Sequence, residues 1–209
     1  MEEYFKKADE IGLEKYLDEV VEYLPKLEEG FWKVKNKAGT ELKWLYETKE
    51  QMIRKADDFI EKAKNAQKLM FERSMTFSQM TTKQQNLLSA GIEAEVIKEF
   101  AKYDKILEFS NPVKKVGGIA GEFDGLVEKY LIEVKYNVSG ETKSGDFLKQ
   151  FGKYLNPNNT DYINVKNKKV VLFIKEFSKG GNVNQSVLKE LKNKGVIIIT
   201  ELSQIKKLY

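Results

Sequence analysis

The stretch GEFDGLVEKYLIEVKYN, residues 121–137, decides how the second half of the chain reads. Its apolar residues recur at period two, the mark of strands. Glu128-Lys129 separates two such runs as a tight turn, so the stretch reads as a hairpin. In the second run Tyr130, Ile132, Val134 and Tyr136 share one face, which suits a core. Glu133 and Lys135 share the other. Asp124 stands in the first run, and a turn at 128–129 brings positions near 124 across from positions near 133. Two carboxylates and an amine then meet at one end of the ladder. Adjacent carboxylates resist double ionisation unless a cation compensates. Lys135 supplies one positive charge, and a divalent metal would supply more.

The flanks extend the same sheet. GIEAEVIKEFAKYDKIL (91–107) is helical, with Ile92, Val96, Ile97, Phe100 and Ala101 on one side. SGDFLKQFGKYLN (144–156) is a short helix ending in the turn-rich NPNNTD. KKVVLFIKEF and VIIIT are buried strands, separated by the helix NQSVLKELKNKG with Gly195 at its C-cap. Helix, three strands, helix, strand, helix, strand is an α/β order, a sheet with helices on its faces.

The first half carries a helical pattern. Apolar residues from Tyr4 to Leu24 keep helical spacing until Pro25, and Leu42 to Met70 form a second stripe. Phe31, Trp32 and Trp44 read as core of that bundle. FWKVKNKAGTELKW, with a turn signal at Ala38-Gly39, fits a hairpin or a helix–loop–helix. Thr82 and Gln85 have capping-box spacing and would open a new helix that Gly91 interrupts. The expected division is a helical accessory domain over 1–80 and an α/β domain over 81–209, with the boundary near 75–85.

Composition narrows the chemistry. The 209 residues include no cysteine and no histidine. Disulfides, zinc–thiolate sites, thiol nucleophiles and imidazole acid–base catalysis are thereby excluded. Oxygen ligands favour Mg²⁺ or Mn²⁺. The N-terminus lacks the layout of a signal peptide, and no apolar run approaches the ~20 residues of a membrane span. Residues 91–209 hold 20 of the 36 basic and 15 of the 32 acidic side chains, so the surplus of positive charge lies in the second half. An anionic partner suits it.

A carboxylate pair with a lysine suits phosphodiester hydrolysis. Asp124 and Glu133 would hold the metal, with the Val134 carbonyl as a third ligand. A metal there lowers the pKa of bound water and neutralises charge on the phosphate. Lys135 would orient the attacking water or help deprotonate it, and would stabilise the charged transition state. Lys114 and Lys115 are candidate phosphate contacts. The competing reading is an exposed edge hairpin whose Glu and Lys are solvated charges.

Gly-Glu-Phe-Asp124, followed after eight residues by Glu133-Val-Lys135, resembles the PD-(D/E)XK nuclease superfamily, in its Holliday-junction-resolvase-like form. The family's proline before the Asp is absent. The resemblance covers roughly residues 88–209 and implies a restriction-endonuclease-like mixed β-sheet flanked by helices, behind a helical N-terminal bundle. It implies a helix carboxylate, for which Glu95 is the best match and Glu93 and Glu99 are rivals. It also implies Gln150 as a catalytic residue on the helix after the strand, with Lys149 and Lys153 as nucleic-acid contacts. The implied activity is a metal-dependent endonuclease using Mg²⁺, with Mn²⁺ or Zn²⁺ as alternatives. DNA is the expected substrate and tRNA the alternative; a non-catalytic binding module of degenerate nuclease fold is the competing class. The layout of helices before a small nuclease is similar to C-terminal toxin domains of contact-dependent growth inhibition and other polymorphic toxins. That implies a cognate immunity protein, and action in the bacterial cytoplasm after delivery from a larger secreted or cell-surface protein.

Overall fold

The computed structural model describes residues 26–28, 30–138, 144–177 and 185–209. The helix expected over residues 2–24 lies outside them. Eight strands form one sheet in chain order: β1 (Lys26–Glu28), β2 (Phe31–Lys35), β3 (Glu41–Leu45), β4 (Ile106–Lys115), β5 (Gly118–Val127), β6 (Tyr130–Val138), β7 (Lys169–Phe177) and β8 (Ile197–Ile199). Neighbours from β1 to β6 are antiparallel, and β6, β7 and β8 are mutually parallel. The parallel part follows from its crossovers: α3 (Ser144–Leu155) joins β6 to β7, and α4 (Gln185–Asn193) joins β7 to β8. The helices α1 (Lys49–Glu72) and α2 (Thr82–Phe100) precede β4, and a 3-10 turn (Leu202–Leu208) closes the chain.

The sheet separates two cores. On one face Leu131, Leu172 and Trp44 pack with Phe147, Phe151 and Leu191 of α3 and α4. On the other, Tyr130, Ile132, Val134 and Tyr136 pack with Met52 and Ala56 of α1 and Ile97 and Phe100 of α2. The alternation read in β6 is thus the alternation of its two buried faces.

Residues 31–45, which fitted either a hairpin or a helix–loop–helix, form the hairpin, so Phe31, Trp32 and Trp44 belong to the sheet and not to a helical bundle. Val34 and Leu42 are buried at period-two positions, and Trp44 follows Leu42 at the same spacing. Asn36 fixes the turn: its side-chain oxygen accepts from the Ala38 and Thr40 N–H groups at 3.0 and 2.9 Å. Its Nδ2 donates to the Thr160 carbonyl at 2.8 Å, tying the hairpin to the loop after α3. The second helix consequently starts at Lys49, behind a Thr48/Gln51 capping box, and not near Thr40. The break expected near 75–85 is where the chain turns from α1 to α2, while the sheet runs across it from β3 to β4.

The cap of α2 is Thr81 with Gln84, one residue before the expected pair. Gly91 does not interrupt this helix; it is where α1 and α2 cross. A Cβ at Gly91 would lie 2.2 Å from the Ala63 Cβ, so only glycine allows this approach. That crossing fixes which flank of α2 meets the sheet.

Candidate active site

The site begins where a ladder ends. β5 and β6 pair at Gly125 with Ile132 and Leu126 with Leu131. Beyond that, β5 stays with β4 as far as Gly118, while β6 runs beside β7 to Val138. The two strands therefore fork at Asp124 and Glu133. The Val134 N–H, which an unbroken ladder would give to β5, donates instead to Asp124 Oδ2 at 2.7 Å.

Distortion on β4 accompanies the fork. Phe109 pairs with Gly125 and Asn111 with Phe123, leaving Ser110 opposite Asp124. Ser110 has φ 50°, a left-handed conformation that costs a non-glycine residue about 1–3 kcal/mol. The side-chain alternation of β5 breaks at the same place. Phe123 packs edge-on against Trp44 in one core, while a Cβ on Gly125 would come 2.8 Å from Ile97 Cδ1 in the other. Asp124 sits at this break, free of the regular pleat.

Glu133 is 1% exposed, and donors surround its carboxylate. Oε1 takes a hydrogen bond from Gln150 Nε2 at 2.6 Å and an ion pair with Lys135 Nζ. Oε2 accepts from the Tyr154 hydroxyl at 2.6 Å. Gln150 and Tyr154 are four residues apart on α3, so one helix face delivers both. Lys153, on the same helix, donates to the Ala120 carbonyl and lies 3.8 Å from Asp161 Oδ2. The fork opens into a cleft of about 220 Å³. Gly121, Glu122 and Asp124 line it from β5, Glu133 and Lys135 from β6, and Gln150, Lys153 and Tyr154 from α3.

The charges in this cleft are strongly interdependent. Burial, then the neighbouring Glu133 and Glu93 charges, push the Asp124 carboxyl well above the usual range. Glu93 of α2 is pushed up to about 7, first by burial and then by Glu122 and Glu133. Burial works against the Lys135 ammonium, but Glu133, Asp124 and Glu93 outweigh it and hold its pKa above that of ordinary lysine. Burial and the Glu133 charge likewise push up the Tyr154 phenol. Three acids thus share one ammonium, and two of them take up protons more readily than free carboxylates.

This is an oxygen-donor set with unneutralised negative charge, which fits a hard divalent cation. Among the described residues no three acidic side chains are already gathered as a metal-holding cluster. Asp124 and Glu133 are the residues that would hold the ion, with Glu133 exchanging one of its donors for it and Glu93 acting on both through its charge.

Five of the ten residues expected at the site line the cleft, Asp124, Glu133, Lys135, Gln150 and Lys153, and Val134 adjoins them through its N–H to Asp124. Glu95 does not. It is exposed, and its charge acts on Tyr136, whose phenol is pushed up to about 12 by burial, then by Glu176 and Glu95. Glu99 pairs with Lys102. Glu93 is the α2 carboxylate that faces the fork, because Ile92, Val96, Ile97 and Phe100 take the buried stripe and the Gly91 crossing sets the helix's rotation. Lys149 is exposed on α3 and Lys114 on β4, while Lys115 is paired with Asp161. Glu122 was not expected at the site, and Tyr154, near Gln150 in the sequence, was given no role there. The i, i+4 spacing from Gln150 would have signalled Tyr154; Glu122 adjoins the motif itself.

Comparison with protein-family models, curated proteins and solved structures finds no match to the chain.

Proposed function

We propose that the chain is a metal-dependent endonuclease that hydrolyses phosphodiester bonds of DNA, with residues 81–209 as a restriction-endonuclease-like nuclease domain and residues 1–80 as an accessory entry region. One observation carries the reading: Asp124, Glu133 and Lys135 converge at the β5–β6 fork, with Glu93 in electrostatic contact. An aliphatic residue at the Glu133 position would contribute about 2 kcal/mol of burial. A buried carboxylate held by three donors forgoes that gain, and a site that binds a cation accounts for it.

A bound divalent cation would supply a more acidic water and charge neutralisation at the phosphate. The chain's own residues do the rest. Asp124, which lines the cleft, is held by the Val134 N–H. Gln150 and Tyr154 fix the Glu133 carboxylate. Lys135, kept protonated by its acidic neighbours, donates to a phosphate oxygen and aligns the attacking water. Delivery as a toxin into a bacterial cytoplasm, with an immunity protein covering the cleft, is the biological setting that the layout suggests.

A second reading has its own support. Glu133 is already fully satisfied by Lys135, Gln150 and Tyr154, as it would be in a non-catalytic binding module. Incubation of the full chain with plasmid DNA and total tRNA, in Mg²⁺, Mn²⁺, Zn²⁺ or EDTA, separates the readings. Metal-dependent nicking of plasmid is expected; cleavage of tRNA alone would reassign the polymer, and no cleavage under any metal would leave the binding module.

A further inference from the structure

The β4–β5 ribbon parts from both of its neighbours. Among the described residues, pairing with β3 stops at Lys43 with Lys114, and pairing with β6 is confined to Gly125 and Leu126. In between, Asn111 and Val113 pair with Phe123 and Gly121 of their own ribbon. A two-stranded hairpin has little stability by itself, so side chains must fix this stretch. On the β6 side Asp124 does so, through the Val134 N–H. On the β3 side the part falls to Lys55 of α1, a half-buried residue. Its ammonium donates to the Phe109 and Ser110 carbonyls at 2.9 and 3.2 Å, to Asn111 Oδ1 at 3.2 Å and to Glu47 Oε2 at 3.0 Å. Asn111 Nδ2 in turn donates to Glu47 Oε2 at 2.9 Å and to Glu108 Oε2 at 3.0 Å. Two backbone carbonyls, an amide and a carboxylate thus converge on one ammonium.

We propose that Lys55 is a positioning residue for the cleft: by clamping the bulge at Ser110 it sets the place of Asp124 across the ribbon. The clamp is read from hydrogen bonds alone; its value to catalysis rests on the proposed function. Ser110 stands opposite Asp124 and holds φ 50°, a conformation that persists only where its surroundings impose it. The two carbonyls that Lys55 holds belong to the peptide units on either side of the Ser110 Cα. In an extended strand successive carbonyls point to opposite edges, so one cation can take both only while Ser110 is turned out of the strand. With Ser110 extended, the pleat of β5 across from it would become regular. Phe123 packs against Trp44, so a regular Asp124 would face the opposite core. Glu133 lies on the Trp44 side, with Leu131 and the donors of α3. The two carboxylates would then stand on opposite faces of the sheet. The clamp keeps them together, and α1, within the accessory part of the chain, becomes a support of the site.

The test reads hydrogen exchange at the Val134 amide, by NMR of the isotope-labelled full chain in EDTA, where neither metal nor substrate enters. Lys55→Met keeps the stem and removes the donors. Exchange at Val134 should rise about tenfold beyond any common rise in the other amides of β6 and β7, the effect of losing one hydrogen bond. Lys98→Met, which breaks the ion pair of α2 with Asp57 of α1 and leaves the ribbon alone, should exchange as the wild type does. If Lys55→Met does not fold, Lys55→Met/Glu47→Gln, which leaves no orphaned Glu47 carboxylate, is read in its place. Exchange at Val134 that stays at the wild-type rate, that rises only in step with all of β6 and β7, or that rises equally in Lys98→Met overturns the proposal. Plasmid nicking is scored separately. In Lys55→Met the Mg²⁺ concentration for half-maximal nicking should rise, because Asp124 is displaced from the ion; an unchanged requirement beside a released Val134 confines the clamp to the fold and overturns its role at the cleft. A wild type that nicks plasmid while Val134 exchange is unmoved leaves the nuclease and removes the clamp. A wild type that never nicks, with Val134 released as expected, leaves the clamp and removes the nuclease.

Discussion

The Val134 N–H donates to the Asp124 carboxylate at 2.7 Å, closing the gap that the parting of β5 and β6 would leave in their ladder. A backbone donor of a buried strand must be satisfied, and a side chain does it here. Asp124 is therefore both a structural acceptor and a member of an acidic cluster, and the two roles can be separated by substitution.

Asp124→Asn keeps an oxygen for Val134 and removes a charge that burial and Glu133 both oppose. In EDTA it should be at least as stable as the wild type. Asp124→Ala orphans the Val134 N–H and should be less stable than the Asn variant by about 1–3 kcal/mol. Denaturant unfolding of both checks this; equal stabilities would mean that the hydrogen bond is not a structural element.

Tyr154→Phe removes one of the donors to a carboxylate that is 1% exposed. A hydrogen bond to a charged group contributes about 1.5–3 kcal/mol, so unfolding in EDTA should shift by that order. Under the proposed function it should also slow cleavage, because Glu133 is less firmly held. A stability unchanged from wild type would show that the phenol is not a partner of Glu133.

How much of this was legible in the sequence depends on how local each contact is. The two faces of β6 were readable because Tyr130, Ile132, Val134 and Tyr136 keep period two while Glu133 and Lys135 fall between them. Gln150 was reached only through the resemblance, which implies such a residue on the helix after the strand. The choice of Glu95 over Glu93 ran against the helical spacing: at about 100° per residue Glu93 falls within the arc of Ile92, Val96, Ile97 and Phe100, and Glu95 falls outside it, one turn from Gly91 on the side that meets Ala63. Residues 31–45 were ambiguous because each strand is five residues long, too short for period two to exclude a helical turn. The cap of α2 was ambiguous chemically, since Thr81-Thr82 and Gln84-Gln85 offer the same box twice.

Gly91→Ala tests that crossing. The added methyl would meet the Ala63 Cβ at 2.2 Å, which two packed backbones cannot relieve locally. Overpacking of this kind costs about 1–3 kcal/mol, against up to ~1 kcal/mol gained in helix propensity. A lower melting temperature is expected, and Ala63→Gly in the same chain should restore it. A higher melting temperature for Gly91→Ala alone would place the helices further apart.

Glu108 gives a pH dependence away from the cleft. It is 2% exposed and accepts from Trp44 Nε1 at 2.8 Å and Asn111 Nδ2 at 3.0 Å. Burial first, with Glu47 adding to it, pushes its carboxyl up to about 7 despite those bonds and nearby Lys55. A folded-state pKa above the ordinary 4.5 means that folding favours the protonated acid. Its contribution is full below about 4.5 and is lost as pH rises to about 7. Glu108→Gln keeps an acceptor and cannot ionise, so its stability relative to wild type should rise across that window. A difference that does not change with pH would contradict the burial of an ionising group.

The most direct test of the account is a time course of plasmid nicking in Mg²⁺ or Mn²⁺ by wild type, Glu133→Gln and Asp124→Asn, each first shown to be folded by its unfolding curve. The wild type should nick the plasmid and lose that activity in EDTA, while both variants stay folded and inactive. Folded variants that cut at the wild-type rate would contradict it, and the carboxylates at the β5–β6 fork would then be structural groups alone.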